Sequence, residues 1–261
     1  MARPSSKLWC AVAALGMALM VGGCETRSIS NSGYNDHGRG NPFYRGELTE
    51  FDVLGIDLSR PASDEEIAQQ FATRQKVRLR PEGALMVIQS GALIPDDPMV
   101  KELERHFSVV PFTGVPLIPR DDGRYAYATN ANASPKVLDE RITNYARALR
   151  LAAAKSGADL IFCYWGTLES AVEREPTKVV SWVPLIGSVL PDETQLMRIR
   201  LKVALIDVRT GHWAMFSPEA YVDSSLSASI NRGSSDQRQV ALLKEKAYKS
   251  VVDAFVAKYV N

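Results

Sequence analysis

The stretch from Leu149 to Gly166, LRLAAAKSGADLIFCYWG, constrains the fold of this chain more than any other. Leu138, Ile142, Tyr145, Leu149 and Ala152 recur at spacings of four and three, so they line one face of a helix. Arg141, Arg147, Arg150 and Lys155 fall largely elsewhere and crowd its carboxyl half, where cations suit the helix dipole. Gly157 supplies the left-handed conformation that ends a helix. Leu160 to Trp165 then runs without polar alternation, the pattern of a central strand covered on both faces. A helix feeding such a strand is half of an α/β unit.

The remaining segments fit around that unit. Ser63 and Glu66 form a capping box that opens a helix through Phe71. Val77 and Leu79 alternate with charge and predict an edge strand, and Ala84 to Ile88 predicts a buried one. Asp96-Asp97-Pro98 starts a second helix, after which Val109 to Val115 returns as a strand despite Pro111. Ile118 to Ala133 reads as a long loop, and Ser134-Pro135 begins the helix described above. Thr167 to Val172 continues as a less buried strand, and Lys178 to Val183 reads as another. Arg198 to Val203 alternates cleanly before the fully apolar Ala204-Leu205-Ile206, and a turn at Asp207 to Gly211 leads into a return strand. Ser235 or Asp236 caps a last helix that packs through Val240, Leu243, Ala247, Val251, Ala254 and Phe255. The expected fold class is α/β: a single sandwich domain, residues 47–261, with a mixed β-sheet and packed helices.

The N-terminus gives the address. Arg3 and Lys7 precede an uncharged, mostly apolar run from Leu8 to Val21, the layout of a secretory signal. It ends in Val21-Gly22-Gly23-Cys24, which resembles the lipobox of bacterial lipoproteins. That resemblance implies a signal peptide over residues 1–23 and acylation of Cys24, palmitate among the chains, with the membrane as a partner through the lipid anchor. Glu25 after the cysteine implies, by the same resemblance, the periplasmic face of the outer membrane. Residues 24–46, poor in aliphatic side chains, read as a flexible tether spanning roughly 25 Å. With Cys10 in the signal and Cys24 lipidated, Cys163 is the one thiol left, and an intrachain disulfide is excluded.

GADLIFCYWG, an apolar loop, and then VALIDVRTGHW together resemble the periplasmic α/β domain of bacterial lipoproteins, over about Ala84 to Val260. That group includes the TolB N-terminal domain, the curli-secretion lipoprotein and the lipoprotein activators of penicillin-binding proteins. These motifs specify a fold far better than a function.

Chemistry is hard to find. The chain has no HExxH, no paired-cysteine metal pattern, no phosphate loop and no GxSxG elbow, so no catalytic residue, cofactor or metal is assigned. Cys163 lies among Phe162, Tyr164 and Trp165, and burial of that kind makes a thiol inert. Asp159 and Asp207 flank strands, where acids close turns. The formal net charge of +1 gives no reason to expect a nucleic-acid partner.

Two features remain as interaction candidates. Arg198, Arg200 and Lys202 form a basic stripe on alternate positions, either a solvated face or a contact for an acidic partner. Trp182 to Pro191 is an apolar loop whose Leu185, Ile186, Val189 and Leu190 either complete the core or meet a partner or membrane. The chain therefore reads as a lipid-anchored envelope protein that binds or assembles an envelope protein or glycan. A periplasmic hydrolase of peptides or wall glycan, and a subunit of an oligomeric export channel, stay open beside it.

Overall fold

Seven strands build one mixed sheet in a computed structural model that describes residues 25–32, 41, 44–57, 61–119, 125–127, 135–173, 194–223 and 232–260. The chain runs β1 (Glu25–Ser28), a 3-10 turn (Ile29–Asn31), α1 (Glu50–Leu54), α2 (Asp64–Thr73), β2 (Ala84–Gln89), α3 (Asp97–Glu104) and β3 (Ser108–Phe112). It continues through β4 (Leu117–Pro119), β5 (Tyr125–Tyr127), α4 (Pro135–Lys155), β6 (Leu160–Glu173), β7 (Thr194–Asp207), β8 (Trp213–Phe216), β9 (Tyr221–Asp223) and α5 (Arg232–Tyr259). This is the α/β sandwich with a mixed sheet that the sequence implies.

The order in the main sheet is β3-β2-β6-β7-β8, with β1 beside β6 and β9 beside β7. β2 pairs parallel with both β3 and β6, while β6 and β7 form an antiparallel ladder over fourteen residues each. Leu160 to Trp165 is the doubly covered strand: each of the six is buried. Leu85, Val87, Phe162, Tyr164, Val203 and Leu205 face one way, against α3 and α5. Met86, Ile88, Ile161, Cys163, Ala204 and Ile206 face the other, where Leu149 and Ala153 of α4 and Val53 of α1 meet them. The alternation of strand side chains thus divides one sheet between two cores.

Local signals are realised closely. Gly157, at φ 79°, ends α4 in a Schellman motif, with Ala158 N–H donating to Ala153 O and Gly157 N–H to Ala154 O. Ser63 and Glu66 make the capping box of α2. Pro111 lies in β3 at the sheet edge, the position where proline is tolerated.

Several expectations are corrected. Glu25–Asn31, assigned by composition to a flexible tether, is instead strand and 3-10 turn, because β1 finds a ladder partner in Thr167 to Ser170. Part of Ile118 to Ala133 is the β4–β5 hairpin rather than loop. Val77 and Leu79 are buried, but the one pairing there is a parallel bridge from Leu79 to Val260. On α4 the expected Leu149 is buried and Tyr145 and Ala152 pack half-buried beside it, while Ala146 and Ala153 join the buried face. Alanine, weakly apolar, lets the helix come close: a Cβ on Gly55 would stand 2.9 Å from Ala146 Cβ. The last helix begins at Arg232, before the expected cap at Ser235 or Asp236, and packs also through Tyr248 and Val252. The strand expected over Lys178 to Val183 lies outside the described residues.

Candidate functional site

The carboxyl edge of parallel strands is where open α/β sheets ordinarily receive ligands. In this chain that edge lies at the end of β2, at Gln89 and Ser90, and both are buried. The N-terminal segment occupies it.

Ser30 Oγ donates to Ser90 O at 2.6 Å and accepts from Gln89 Nε2 at 3.0 Å. Gln89 Oε1 accepts from the Tyr164 hydroxyl at 2.6 Å and from Asp96 N–H at 2.7 Å. Asp96 is positioned by the start of α3, yet its side chain makes no cap bond there. Its Oδ2 instead accepts from the Tyr248 hydroxyl at 2.5 Å and from Lys244 Nζ at 2.8 Å. Lys244 also donates to Ile29 O at 2.9 Å. The chain leaving this cluster is tied down as well. Asn41 Nδ2 donates to Ser30 O, Leu48 N–H donates to Ser90 Oγ, and Trp165 Nε1 donates to Leu48 O at 2.6 Å.

Burial pushes the Tyr164 and Tyr248 hydroxyls well above the ordinary phenol range, so both stay protonated and act as donors. Burial likewise raises Glu47, whose Oε1 accepts from Ser28 Oγ at 2.6 Å. The hydrogen bonds of the Gln89 and Ser30 side chains are thus spent on one another, on backbone and on the Tyr164 hydroxyl. The arrangement is a clamp on residues 28–31. It holds chain to chain rather than presenting a reacting group.

Below the clamp, Gly166 explains how the segment lies so close to the sheet. A Cβ at Gly166 would stand 2.6 Å from Ile29 Cδ1 and 2.7 Å from Leu201 Cδ2. Ile29 itself is 1% exposed and belongs to the core against α5.

The thiol of Cys163 is fully buried, and burial raises its pKa, with the Glu47 charge a smaller contribution. Asp207 closes its turn by accepting from Thr210 N–H and Oγ1, while Asp159 reaches the Ala84 amide at 3.5 Å. His106 is exposed beside Phe107, and His212 Nδ1 is buried without a protein partner. Among the described residues no three His, Cys, Asp or Glu side chains come together as a metal site.

The basic stripe lies on one face of β7, opposite the buried Met197, Ile199 and Leu201. Arg198 is held by Glu169, with both Nε and Nη2 2.5 Å from Oε2. Arg200 reaches the same carboxylate at 3.5 Å but leaves 61% of its side chain exposed. Lys202 pairs with Glu50 and lies 5.6 Å from the centroid of the Trp165 ring. Of the three, Arg200 presents the freest charge. Cys24 and the loop residues Leu185, Ile186, Val189 and Leu190 lie outside the described residues.

The clamp is faint in the sequence. Its signals were a polar Gln89-Ser90 ending an apolar strand, and a lysine placed four residues before a tyrosine on the packing side of the last helix.

No curated protein matches this chain. Lipoprotein GNA1162 from Neisseria meningitidis is similar in structure at 13% identity, over 66% of this chain and 99% of that one, with a TM-score of 0.24. No described helix is long and apolar enough to cross a membrane. A family model described as the YafT bacterial lipoprotein matches residues 49–258, from the cap of α1 nearly to the end of α5. The chain belongs to that family, and is a lipoprotein of the bacterial cell envelope.

Proposed function

We propose that this lipoprotein is a non-enzymatic binding or assembly factor, held by acylated Cys24 on the periplasmic face of the outer membrane. One observation carries the reading. The edge of the sheet at which an α/β enzyme would bind substrate is filled by the protein's own N-terminal segment, through Ser30, Gln89 and Ser90. Binding potential there is spent on joining the anchor to the domain. The inert environment of Cys163 supports the same view. Glu25 after the lipobox cysteine supports the outer membrane. The resemblance to the TolB N-terminal and penicillin-binding-protein activator group supports docking to an envelope protein or glycan. Arg200 and the loop residues Leu185, Ile186, Val189 and Leu190 are the candidate contacts.

The test is crosslinking of the native lipoprotein in cells, with Ile186→Ser/Leu190→Ser and Arg200→Ser chains alongside. A discrete envelope product that one of these variants loses, while its melting temperature holds, supports the proposal. Turnover in a peptidase or muramidase screen, removed by a single substitution, replaces it with a hydrolase. Rings of defined size in detergent replace it with a channel subunit.

A further inference from the structure

The residue that carries lipid is bonded directly to a residue of the sheet. β1 begins at Glu25, so the Cα of Cys24 lies about 3.8 Å from a Cα already in the ladder. Glu25 pairs with Ser170, Thr26 with Glu169, Arg27 with Leu168 and Ser28 with Thr167. β1 is antiparallel to β6, so the chain traced back from Glu25 heads toward Ala171 and the Glu173 end of that strand.

β6 and β7 outrun the rest of the sheet at that end, past the last pairs that β1 makes at Ser170 and β9 makes at Met197. β2 pairs with β6 from Leu160 to Tyr164, and β6 continues to Glu173. Ala171 to Glu173, at about 3.3 Å per residue, make an arm of roughly 10 Å beyond those pairs. Its end, at Glu173 and Thr194, which pair with each other, lies three residues past Ser170. The opposite end of the same strands is the turn at Asp207 to Gly211.

We infer that β1 makes the lipid anchor rigid and sets the Glu173–Thr194 end of the β6–β7 arm against the lipid surface, with the Asp207–Gly211 turn pointing away from it. The acyl chains of Cys24 fix the headgroup layer within a residue or two of Ser170, and the arm's end reaches further in the same direction. The β1 ladder, Ile29 on Gly166 and Lys244 on Ile29 O prevent the domain from swinging about its anchor. The protein then presents one fixed end to the periplasm. This inference rests on acylation at Cys24.

The experiment uses the mature acylated protein in phosphatidylethanolamine–phosphatidylglycerol vesicles that contain headgroup-nitroxide lipid. A fluorophore is placed by Glu173→Cys or Thr194→Cys at the arm's end, and by Arg209→Cys at the far turn. Cys163 is buried and Cys24 acylated, so neither competes for label. Vesicle-bound protein quenched severalfold more at 173 and 194 than at 209 supports the inference. Equal quenching at both ends, or none at either, overturns it and restores a swinging tether. A chain that fails to sediment with vesicles overturns the anchor itself, a distinct result from bound protein without an end-to-end difference. Inserting a flexible Gly-Ser segment between Cys24 and Glu25 must abolish the difference while vesicle binding persists. If the difference survives the insertion, β1 is not what sets it, and the inference fails.

Discussion

Ile29 Cδ1 stands 2.6 Å from the place a Cβ on Gly166 would occupy. Leu201 Cδ2 closes the same space from the neighbouring strand at 2.7 Å. Gly166→Ala therefore pushes the N-terminal segment off the sheet. Overpacking of this kind costs about 1–3 kcal/mol, and each kcal/mol lowers Tm by about 2–4 °C in a domain of this size. Thermal melts of Gly166→Ala, Ile29→Ala and the pair check it. In the Ile29→Ala background the glycine change becomes markedly cheaper, and strict additivity would show that the two do not meet.

Lys244→Met leaves Ile29 O without its lysine donor and Asp96 Oδ2 without its cation. Losing one partner of a part-buried charged pair costs about 1–3 kcal/mol. Tyr248→Phe removes a single hydrogen bond to the same oxygen and costs about 1 kcal/mol. Denaturant titrations rank the two, and faster proteolysis within residues 25–48 of the lysine variant identifies which segment is loosened.

Glu47 gives a pH signature. Its folded pKa is raised, mainly by burial, so the folded state holds that proton more tightly than the unfolded chain. Its contribution to stability is complete below the unfolded value of about 4.3 and is lost as pH rises through the folded value. The Tm of Glu47→Gln relative to the parent chain therefore climbs across that window and is flat above it. A difference that stays constant as pH rises from below that unfolded value contradicts the assignment.

Arg198 and Arg200 differ although they lie two residues apart on one face. Arg198 is 17% exposed and bound twice to Glu169, whereas Arg200 is 61% exposed. Arg198→Ser leaves the part-buried Glu169 carboxylate with the longer Arg200 contact alone and costs about 1–3 kcal/mol, while Arg200→Ser stays within about 0.5 kcal/mol. Melts of the two variants decide which arginine is free to serve a partner without damage to the fold.

What was legible in the sequence was what neighbours in sequence decide. Leu160 to Trp165 needs no partner to show that it is covered twice, and Gly157 and the Ser63–Glu66 box act within one turn. β1 was not legible because Glu-Thr-Arg-Ser carries no apolar pattern, and its strand state is conferred by Thr167 to Ser170 far along the chain. Asp96 read correctly as a helix start, but its carboxylate serves Lys244 and Tyr248, contacts that only the packing of α5 on α3 creates. The stripe of Arg198, Arg200 and Lys202 was visible as charge, but not the acids that answer it, because Glu50 and Glu169 lie on other elements. The apolar loop at Leu185 to Leu190 lies outside the described residues, so its two readings stand as the sequence left them.

The contact of Lys244 with Ile29 spans 215 residues. Closing so long a loop comes late in folding, and an exported chain emerges amino end first. On the proposed acylation of Cys24, the enzymes that acylate and cut there meet the following residues while they are still extended. The same residues become sheet once β6 is in place to pair with them, and the last helix ties them down through Lys244. A protease or processing enzyme has a window in time rather than a permanent site, and the arrival of α5 is the event that shuts it.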